Sequence, residues 1–240
     1  MTPVRLGRTR EHHEAVTSTM ELAAAAARAG AADGHVVLAR RQTAGRGRTG
    51  HAWHSADDGG LYLSVVLRGF DGPPGAAGLT LAAGLGVAEA VRRLGGREPR
   101  LKWPNDVLLG DRKVAGILTE WLGDGAAVVG VGLNVGQTAF PAELAATATS
   151  LALSTGAVSD PAAALEVLLE ALGEAVAAFR KGGLAWVVPE WTARSGLWGR
   201  RGAVAGVVGV MRRLEPDGAL VLEDDDGTER TLTAGAVELL

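Results

Sequence analysis

The sequence predicts an α+β fold, in which helices pack on a mixed, mostly antiparallel β-sheet and a small β-barrel follows. Three observations support this prediction. Apolar, strand-like runs follow one another through tight turns, as at Gly123-Asp124-Gly125, instead of alternating regularly with helices. The 35 glycines indicate many tight turns between short elements. From Gly196 onward, short apolar strands are separated by Pro216-Asp217-Gly218 and Asp226-Gly227.

The segment before residue 100 is predicted to form two helices and two strands. Ser18, followed three residues later by Glu21, matches a capping box, and the Ala-rich segment favours a helix that Gly30 ends. Apolar runs predict strands over residues 35–43 and 61–67. After a loop at 71–75, apolar residues at helical spacing predict a helix over 80–94.

The rest of the chain reads as three strands, two helices and the barrel. The strands are predicted over residues 100–103, 113–121 and 126–135, with irregular structure over 137–160. Pro161 fits the first helical position after Asp160 as N-cap, so we expect a helix to about Lys181 and another over 184–194. We therefore divide the chain into a domain of residues 1–195 and a barrel of residues 196–240, which is too small to be independent.

Composition excludes several classes of protein. A net charge of −3 argues against broad attraction to nucleic acid or to an anionic membrane. The absence of cysteine excludes disulfides and thiolate metal sites. No run approaches the roughly 20 apolar residues of a membrane span, and the N-terminus lacks a signal-peptide core, so we expect a soluble cytoplasmic protein. His12 with His13, and His51 with His54, lack a convincing third ligand, which favours solvated histidines over a zinc site.

The segment Lys102-Trp103-Pro104-Asn105-Asp106 combines a strand end with polar side chains. Pro104 cannot donate to a sheet ladder, so the strand must end there, and Asn105 and Asp106 tolerate turn geometry. A cation, an amide and a carboxylate at one strand end can hold a phosphate, a metal ion, or both. Taken alone, the segment would favour an ordinary surface turn.

The loop Gly45 to Gly50 matches the spacing G-x-G-x-x-G, but no helical pattern follows it. We therefore reject a dinucleotide-binding loop. Arg46 and Arg48 between the glycines instead suggest a mobile cationic loop that closes over an anion, with a solvated surface loop as the alternative.

Two predicted strands contain residues that are unusual for their surroundings. Lys113 begins an apolar strand in which Gly116 suggests a close approach by a ligand or another chain. Asn134 lies in an apolar strand broken by glycines. If it is buried it needs hydrogen-bond partners, which the edge of a ligand could supply.

Taken in this order, the segments resemble the biotin protein ligases. The match spans the chain, and its most specific part is Lys-Trp-Pro-Asn-Asp followed by Lys-x-Ala-Gly-Ile-Leu. The resemblance implies a catalytic domain of the biotin/lipoate ligase type, like that of class II aminoacyl-tRNA synthetases, and an SH3-like C-terminal barrel. Some members carry an N-terminal DNA-binding winged helix. Because this sequence starts close to its first helix, we expect the monofunctional type without one.

The resemblance also implies a two-step reaction and the residues that perform it. Biotin and ATP, with Mg²⁺, would give biotinyl-5'-AMP and pyrophosphate, and biotin would then pass to a lysine of a biotin carboxyl carrier domain of a carboxylase. The catalytic residues would be Lys113, Arg48 and Asp106, the last orienting or deprotonating the acceptor amine. Biotin would be bound by Ser18, Thr19, Met20, Gln42, Arg46, Gly47, Arg48, Lys113 and Gly116. ATP would be bound by Arg48, Trp53, Lys102, Asn105, Lys113 and Asn134, with Asn105 also near the magnesium ion.

The sequence departs from the family pattern at four positions. Met20 stands where asparagine is common, Thr49 and His51 where further basic residues often occur, and Ala236 near a frequent acidic position. Two alternatives stay open: a lipoate or octanoate ligase or transferase of related fold, and a non-catalytic biotin sensor. We expect no nucleic-acid or membrane partner, and the sequence leaves open whether the chain forms a homodimer.

Overall fold

The computed structural model describes residues 5–50, 52–55, 59–70, 72–95, 98–156 and 160–240. The departure at His51 and the first residue of the predicted 71–75 loop lie outside these residues. None of the helices in the described ranges combines the length and the apolar character needed to cross a bilayer.

A seven-stranded sheet organises the larger part of the chain. Its strands are β1 (Arg10–Val16), β2 (Val36–Gln42), β3 (Leu61–Arg68), β4 (Arg100–Lys102), β5 (Asp106–Leu109), β6 (Arg112–Gly123) and β7 (Ala126–Leu133). Their spatial order is β1-β2-β3-β7-β6-β5-β4. Only the β1–β2 pair is parallel among the described strands of this sheet. The predicted mixed, mostly antiparallel sheet is therefore confirmed.

Helices cover both faces of this sheet. They are α1 (Thr19–Arg28), α2 (Gly72–Gly95), α3 (Leu151–Thr155) and α4 (Pro161–Arg194). Alternate residues of β2 face opposite sides: Val36 belongs to the core under α2 and α4, whereas Val37 packs with the alanines of α1. Asp160 caps α4 as predicted, with Oδ1 accepting from Ala162 N at 3.1 Å. Gly183, at φ 56°, divides α4 close to the predicted boundary between two helices.

Where the sequence predicted a small barrel of short strands, the C-terminal residues form a second, five-stranded antiparallel sheet. Its strands are β8 (Arg201–Val204), β9 (Val207–Leu214), β10 (Leu220–Glu223), β11 (Glu229–Leu232) and β12 (Glu238–Leu239), in the order β11-β10-β9-β8-β12. Its buried residues Val204, Met211 and Leu220 belong to the same apolar core as the larger sheet. The division of the chain at residues 195 and 196 stays a prediction.

Several predicted elements were wrong or missing. Strand β1 was not predicted, nor was β5, and α3 lies in the segment expected to be irregular. Helix α2 begins at Gly72, inside the predicted loop, because prolines are tolerated in a first turn, where the backbone N–H has no helical partner. The capping box is also wrong. The Ser18 side chain makes no capping bond, and the Glu21 carboxylate instead accepts from Thr17 Oγ1 at 2.7 Å.

Candidate active site

A cavity lies at the large sheet, between the start of α1, the start of β5 and the first half of β6. Its empty volume, counted out into the open solvent at its mouth, is ≈ 800 Å³. The structure brings most of the predicted site residues together around it: Ser18, Thr19, Met20, Gln42, Arg46, Gly47, Arg48, Trp53, Asn105, Asp106, Lys113 and Gly116. Lys102 and Asn134 are not among its described lining residues.

One end of the cavity is polar and uncharged. Gln42 Oε1 accepts from Thr19 N at 2.8 Å and lies 3.1 Å from Thr19 Oγ1, while Gln42 Nε2 donates to Ser55 Oγ at 2.9 Å. Ser18 is 1% exposed, and its hydroxyl has no hydrogen-bond partner among the described residues. An unpaired buried hydroxyl typically costs about 1–3 kcal/mol, so this end suits a ligand that supplies polar partners.

Glycines on β6 and β7 make room for a tryptophan. Gly116 and Gly132 are directly opposite in the β6–β7 ladder. A Cβ atom at Gly132 would lie 2.3 Å from Trp53 Cε2, and one at Gly116 would lie 2.8 Å from Trp53 Cζ3. The predicted close approach at Gly116 is therefore present, but the group that approaches belongs to Trp53 of the same chain.

The other end of the cavity is charged. Lys113 Nζ lies 2.5 Å from Asp106 Oδ1, and Lys102 Nζ lies 3.1 Å from Asp106 Oδ2. Lys113 Nζ also lies 5.2 Å from the centroid of the Trp53 ring, a cation–π distance. The carboxylate therefore has one ammonium on each oxygen, which fixes its orientation.

A β-bulge brings Lys113 to the same face as Asp106. The register pairs Asp106 with Gly116 but Leu108 with Lys113, so β6 has one extra residue between these pairs. Without it, strand alternation would place Lys113 on the opposite face of the sheet from Asp106. Bulges re-aim side chains in this way and are frequent beside active sites.

The loop from Gly45 to Gly50 lies along the cavity. Arg46 pairs with Ala52 in an isolated β-bridge, Trp53 N donates to Gly45 O at 2.9 Å, and a 3₁₀ turn spans Arg48–Gly50. Burial lowers the pKa of Arg48, and the nearby Asp106 charge acts in the opposite direction. Binding an anion would offset the desolvation cost of this guanidinium, in agreement with the anion-binding loop that the sequence suggested. The predicted mobility of the loop stays a prediction.

Asn134 and Lys102 are already engaged by other groups. Asn134 is 4% exposed; its Nδ2 donates to Thr149 O at 2.9 Å and its Oδ1 accepts from Gln137 Nε2 at 3.3 Å. The expectation that a buried Asn134 needs partners was right, but these partners are protein groups. Lys102 contacts Asp106 and the carbonyl of Val237.

No group of three or more histidine, aspartate or glutamate residues in the described ranges could hold a metal ion. Asn105 lines the cavity; its Nδ2 donates to Ile117 O at 2.7 Å, and its Oδ1 has no hydrogen-bond partner among the described residues. The sequence analysis did not assign eight other residues that line the cavity, although the two-residue spacing of Gly130 and Gly132 was a usable signal. They are Ala52, Leu63, Ile117, Leu118, Gly130, Val131, Gly132 and Ala236.

Comparisons with known proteins point to one family. A family profile described as "Biotin/lipoate A/B protein ligase family" matches residues 13–137. The chain is 38% identical over 230 residues to a Mycobacterium tuberculosis protein named biotin--[acetyl-CoA-carboxylase] ligase, covering 92% of this chain and 85% of the relative. It is 35% identical to the bifunctional ligase/repressor BirA of Bacillus subtilis, covering 66% of this chain but only 50% of that relative. The chain thus spans about half the length of that bifunctional relative.

A solved structure gives the same result for the fold. The biotin protein ligase from Aquifex aeolicus in complex with biotin and ATP superposes with a TM-score of 0.85 at 28% identity, covering 97% of this chain and 99% of that one.

Proposed function

This chain belongs to the biotin/lipoate A/B protein ligase family, and from this premise we propose that it is a biotin protein ligase. It activates biotin with ATP to biotinyl-5'-AMP, releasing pyrophosphate, and transfers biotin to a lysine of a biotin carboxyl carrier domain. The ligands named for the Aquifex structure and the activity named for the Mycobacterium relative support this assignment.

The observation that carries the proposal is the polarity of the cavity. Its uncharged end has the unpaired, buried hydroxyl of Ser18 beside Thr19 and Gln42. The ureido ring of biotin offers both donors and acceptors there, whereas the dithiolane ring of lipoate offers neither. The charged end, with Lys113 and Arg48, is where a carboxylate and phosphates would lie.

In the first step, the biotin carboxylate attacks the α-phosphorus of ATP and pyrophosphate leaves. Negative charge is then concentrated on phosphate oxygens between Lys113 and Arg48. Lys113 is held in advance by Asp106 and by the Trp53 ring, so little reorganisation is needed. The desolvation cost of partly burying the Arg48 guanidinium is offset when it pairs with the negative phosphate oxygens.

Magnesium fits this site only as an ion held mostly by phosphates and water. Mg²⁺ prefers oxygen ligands and often binds through one or two protein groups plus substrate phosphates. Asn105 Oδ1 would hold it, because Asn105 lines the cavity and only its Nδ2 is hydrogen-bonded among the described residues. When bound, the ion would neutralise phosphate charge.

In the second step, the acceptor lysine attacks the acyl carbon of the mixed anhydride, the amide bond forms and AMP leaves. Asp106 orients the incoming amine, because it is the only carboxylate among the described residues that line the cavity. The anhydride is hydrolysable, so a loop that covers it protects the intermediate from water. We assign this role to residues 45–50.

The direct test is transfer to a carrier domain. The chain, ATP, Mg²⁺ and biotin are incubated with an isolated biotin carboxyl carrier domain, and intact mass with peptide mapping locates the product. We expect one biotin on one carrier lysine, dependent on ATP. Transfer of lipoate or octanoate in parallel reactions, without transfer of biotin, would replace the proposal by the related ligase activity. Binding of biotin without any transfer would favour the sensor.

A further inference from the structure

Lys102 connects the carboxylate of Asp106 to the C-terminal sheet. Its Nζ lies 3.1 Å from Asp106 Oδ2 and donates to the carbonyl of Val237 at 3.2 Å. Its side chain is only 22% exposed and is absent from the described lining of the cavity. An ammonium that bound the phosphates would have to face that cavity. The position of Lys102 therefore favours a different role.

The strand register fixes this arrangement. Lys102 and Asp106 are directly opposite in the β4–β5 hairpin, so their side chains project from the same face. Asp106 in turn lies opposite Gly116, and the bulge that follows brings Lys113 to its other oxygen. The carboxylate thus has one lysine on each side, and only Lys113 contacts the cavity.

The two neighbours of Lys102, Leu101 and Trp103, are also hydrogen-bonded to the C-terminal part of the chain. Leu101 O accepts from Gly196 N at 3.0 Å. Trp103 is 2% exposed, and its Nε1 donates to Gly218 O at 3.1 Å. Three consecutive residues, 101 to 103, therefore contact groups beyond residue 195. The position of this hairpin depends on where the C-terminal sheet lies.

We propose that Lys102 is a positioning residue that transmits the placement of the C-terminal sheet to Asp106, and so governs transfer to the acceptor lysine. This rests on the proposed ligase function. Without Lys102, one carboxylate oxygen loses its partner, and Asp106 is free to rotate and share both oxygens with Lys113. Displacing a reacting group by about 1 Å can cost about 10² in rate, so the transfer step should suffer most.

A double-mutant cycle tests the coupling. Lys102→Met, Asp106→Asn and the double variant are compared in single-turnover transfer from preformed biotinyl-5'-AMP to the carrier domain. We expect Lys102→Met to slow transfer by about 10- to 100-fold, and the double variant to be no slower than Asp106→Asn alone. Effects that multiply would overturn the proposal, because Lys102 would then act independently of Asp106.

The adenylation step separates the two roles available to Lys102. If it only positions Asp106, KM for ATP in pyrophosphate exchange stays within about twofold of the parent while transfer falls. A raised KM for ATP with unchanged transfer would mean that Lys102 binds phosphate, and the proposal would be wrong. If the parent protein itself gives no biotin-dependent exchange, the proposed function fails, which is a different result.

Three further variants are compared with Lys102→Met: one control and two additional tests. Lys181→Met makes the same substitution at an exposed lysine on α4 and should leave both steps unchanged. Trp103→Phe removes the donor to Gly218 O but keeps an aromatic ring. It should slow transfer in the same direction as Lys102→Met, and unchanged transfer would count against a role for the C-terminal sheet. If Lys102→Met fails to fold, Lys102→Gln keeps a donor for Val237 and is expected to reproduce the transfer defect.

Discussion

Two glycines on one face of β7 should respond very differently to the same substitution. A Cβ atom at Gly132 would lie 2.3 Å from Trp53 Cε2 and 2.5 Å from Trp53 Nε1. At Gly130 it would lie 2.6 Å from the sulfur of Met20. Methionine has a flexible side chain and can move aside, whereas the indole ring is rigid and must shift as a whole.

The size of the effect follows from these distances. Carbon atoms in contact lie about 3.5–4.0 Å apart, so Gly132→Ala must move the Trp53 ring by about 1 Å or more. That ring lies under the ammonium of Lys113, 5.2 Å from its centroid. A shift of this size at a catalytic group costs about 10² in rate, while overpacking lowers the free energy of unfolding by about 1–3 kcal/mol.

The assay is biotin-dependent pyrophosphate exchange, with stability measured by urea unfolding. Gly132→Ala should lower the exchange rate by about 10² at saturating substrates. Gly130→Ala, the matched control, should change mainly KM for biotin, because Met20 lines that end of the cavity. If both variants exchange at rates within about twofold of each other, the Trp53 ring does not support Lys113 as argued.

Three other predictions address the charged end, the loop and the surface. Lys113→Ala should slow adenylate formation by about 10²–10³, and a variant with parental adenylation would remove Lys113 from the first step. Amide hydrogen exchange in residues 44–55 should slow when biotin and ATP are added, and equal rates with and without ligand would refute a closing loop. Arg92, mainly by its hydrogen bond, lowers the pKa of Glu89 from 4.5 to about 2. The ionised Glu89 carboxylate therefore stabilises the folded state above pH 4.5, and this contribution is lost as the pH falls toward 2. Glu89→Gln should therefore lower the free energy of unfolding at pH 7 by about 1 kcal/mol after allowance for solvent screening, and the difference from the parent should shrink in acid; a constant difference would contradict the assignment.

The parts of the fold that the sequence predicted correctly have strong local patterns. The cap at Asp160 and Pro161 and the glycine break near Gly183 depend on single residues with restricted or special backbone behaviour. Strand β1 was missed because it is an edge strand whose residues are mostly polar and partly exposed, so no apolar alternation marks it. Strand β5 was missed because Pro104 was read as the start of a loop rather than the turn of a hairpin.

Site residues could be predicted where their type and segment identify them. They could not be predicted where strand register or a long-range contact determines where a side chain lies. Lys113 and Asp106 were identified from their segment, but only the bulge in β6 brings them to one face, and no residue pattern reveals it. Ser18 was expected both to cap α1 with its side chain and to bind biotin; it occupies the N-cap position and lines the cavity, but its hydroxyl makes no capping bond. Lys102 and Asn134 were assigned to ATP because of their segments, although long-range contacts with Val237 and Thr149 occupy their side chains.

The central claim is that this cavity activates biotin as its adenylate, and exchange of labelled pyrophosphate into ATP tests it most directly. The purified chain is mixed with ATP, Mg²⁺ and labelled pyrophosphate, and biotin, lipoate or octanoate is added in separate reactions. We predict label in ATP that depends on biotin and is lost with Lys113→Ala. Exchange with lipoate or octanoate but not with biotin, or no exchange with any of them, would contradict the account.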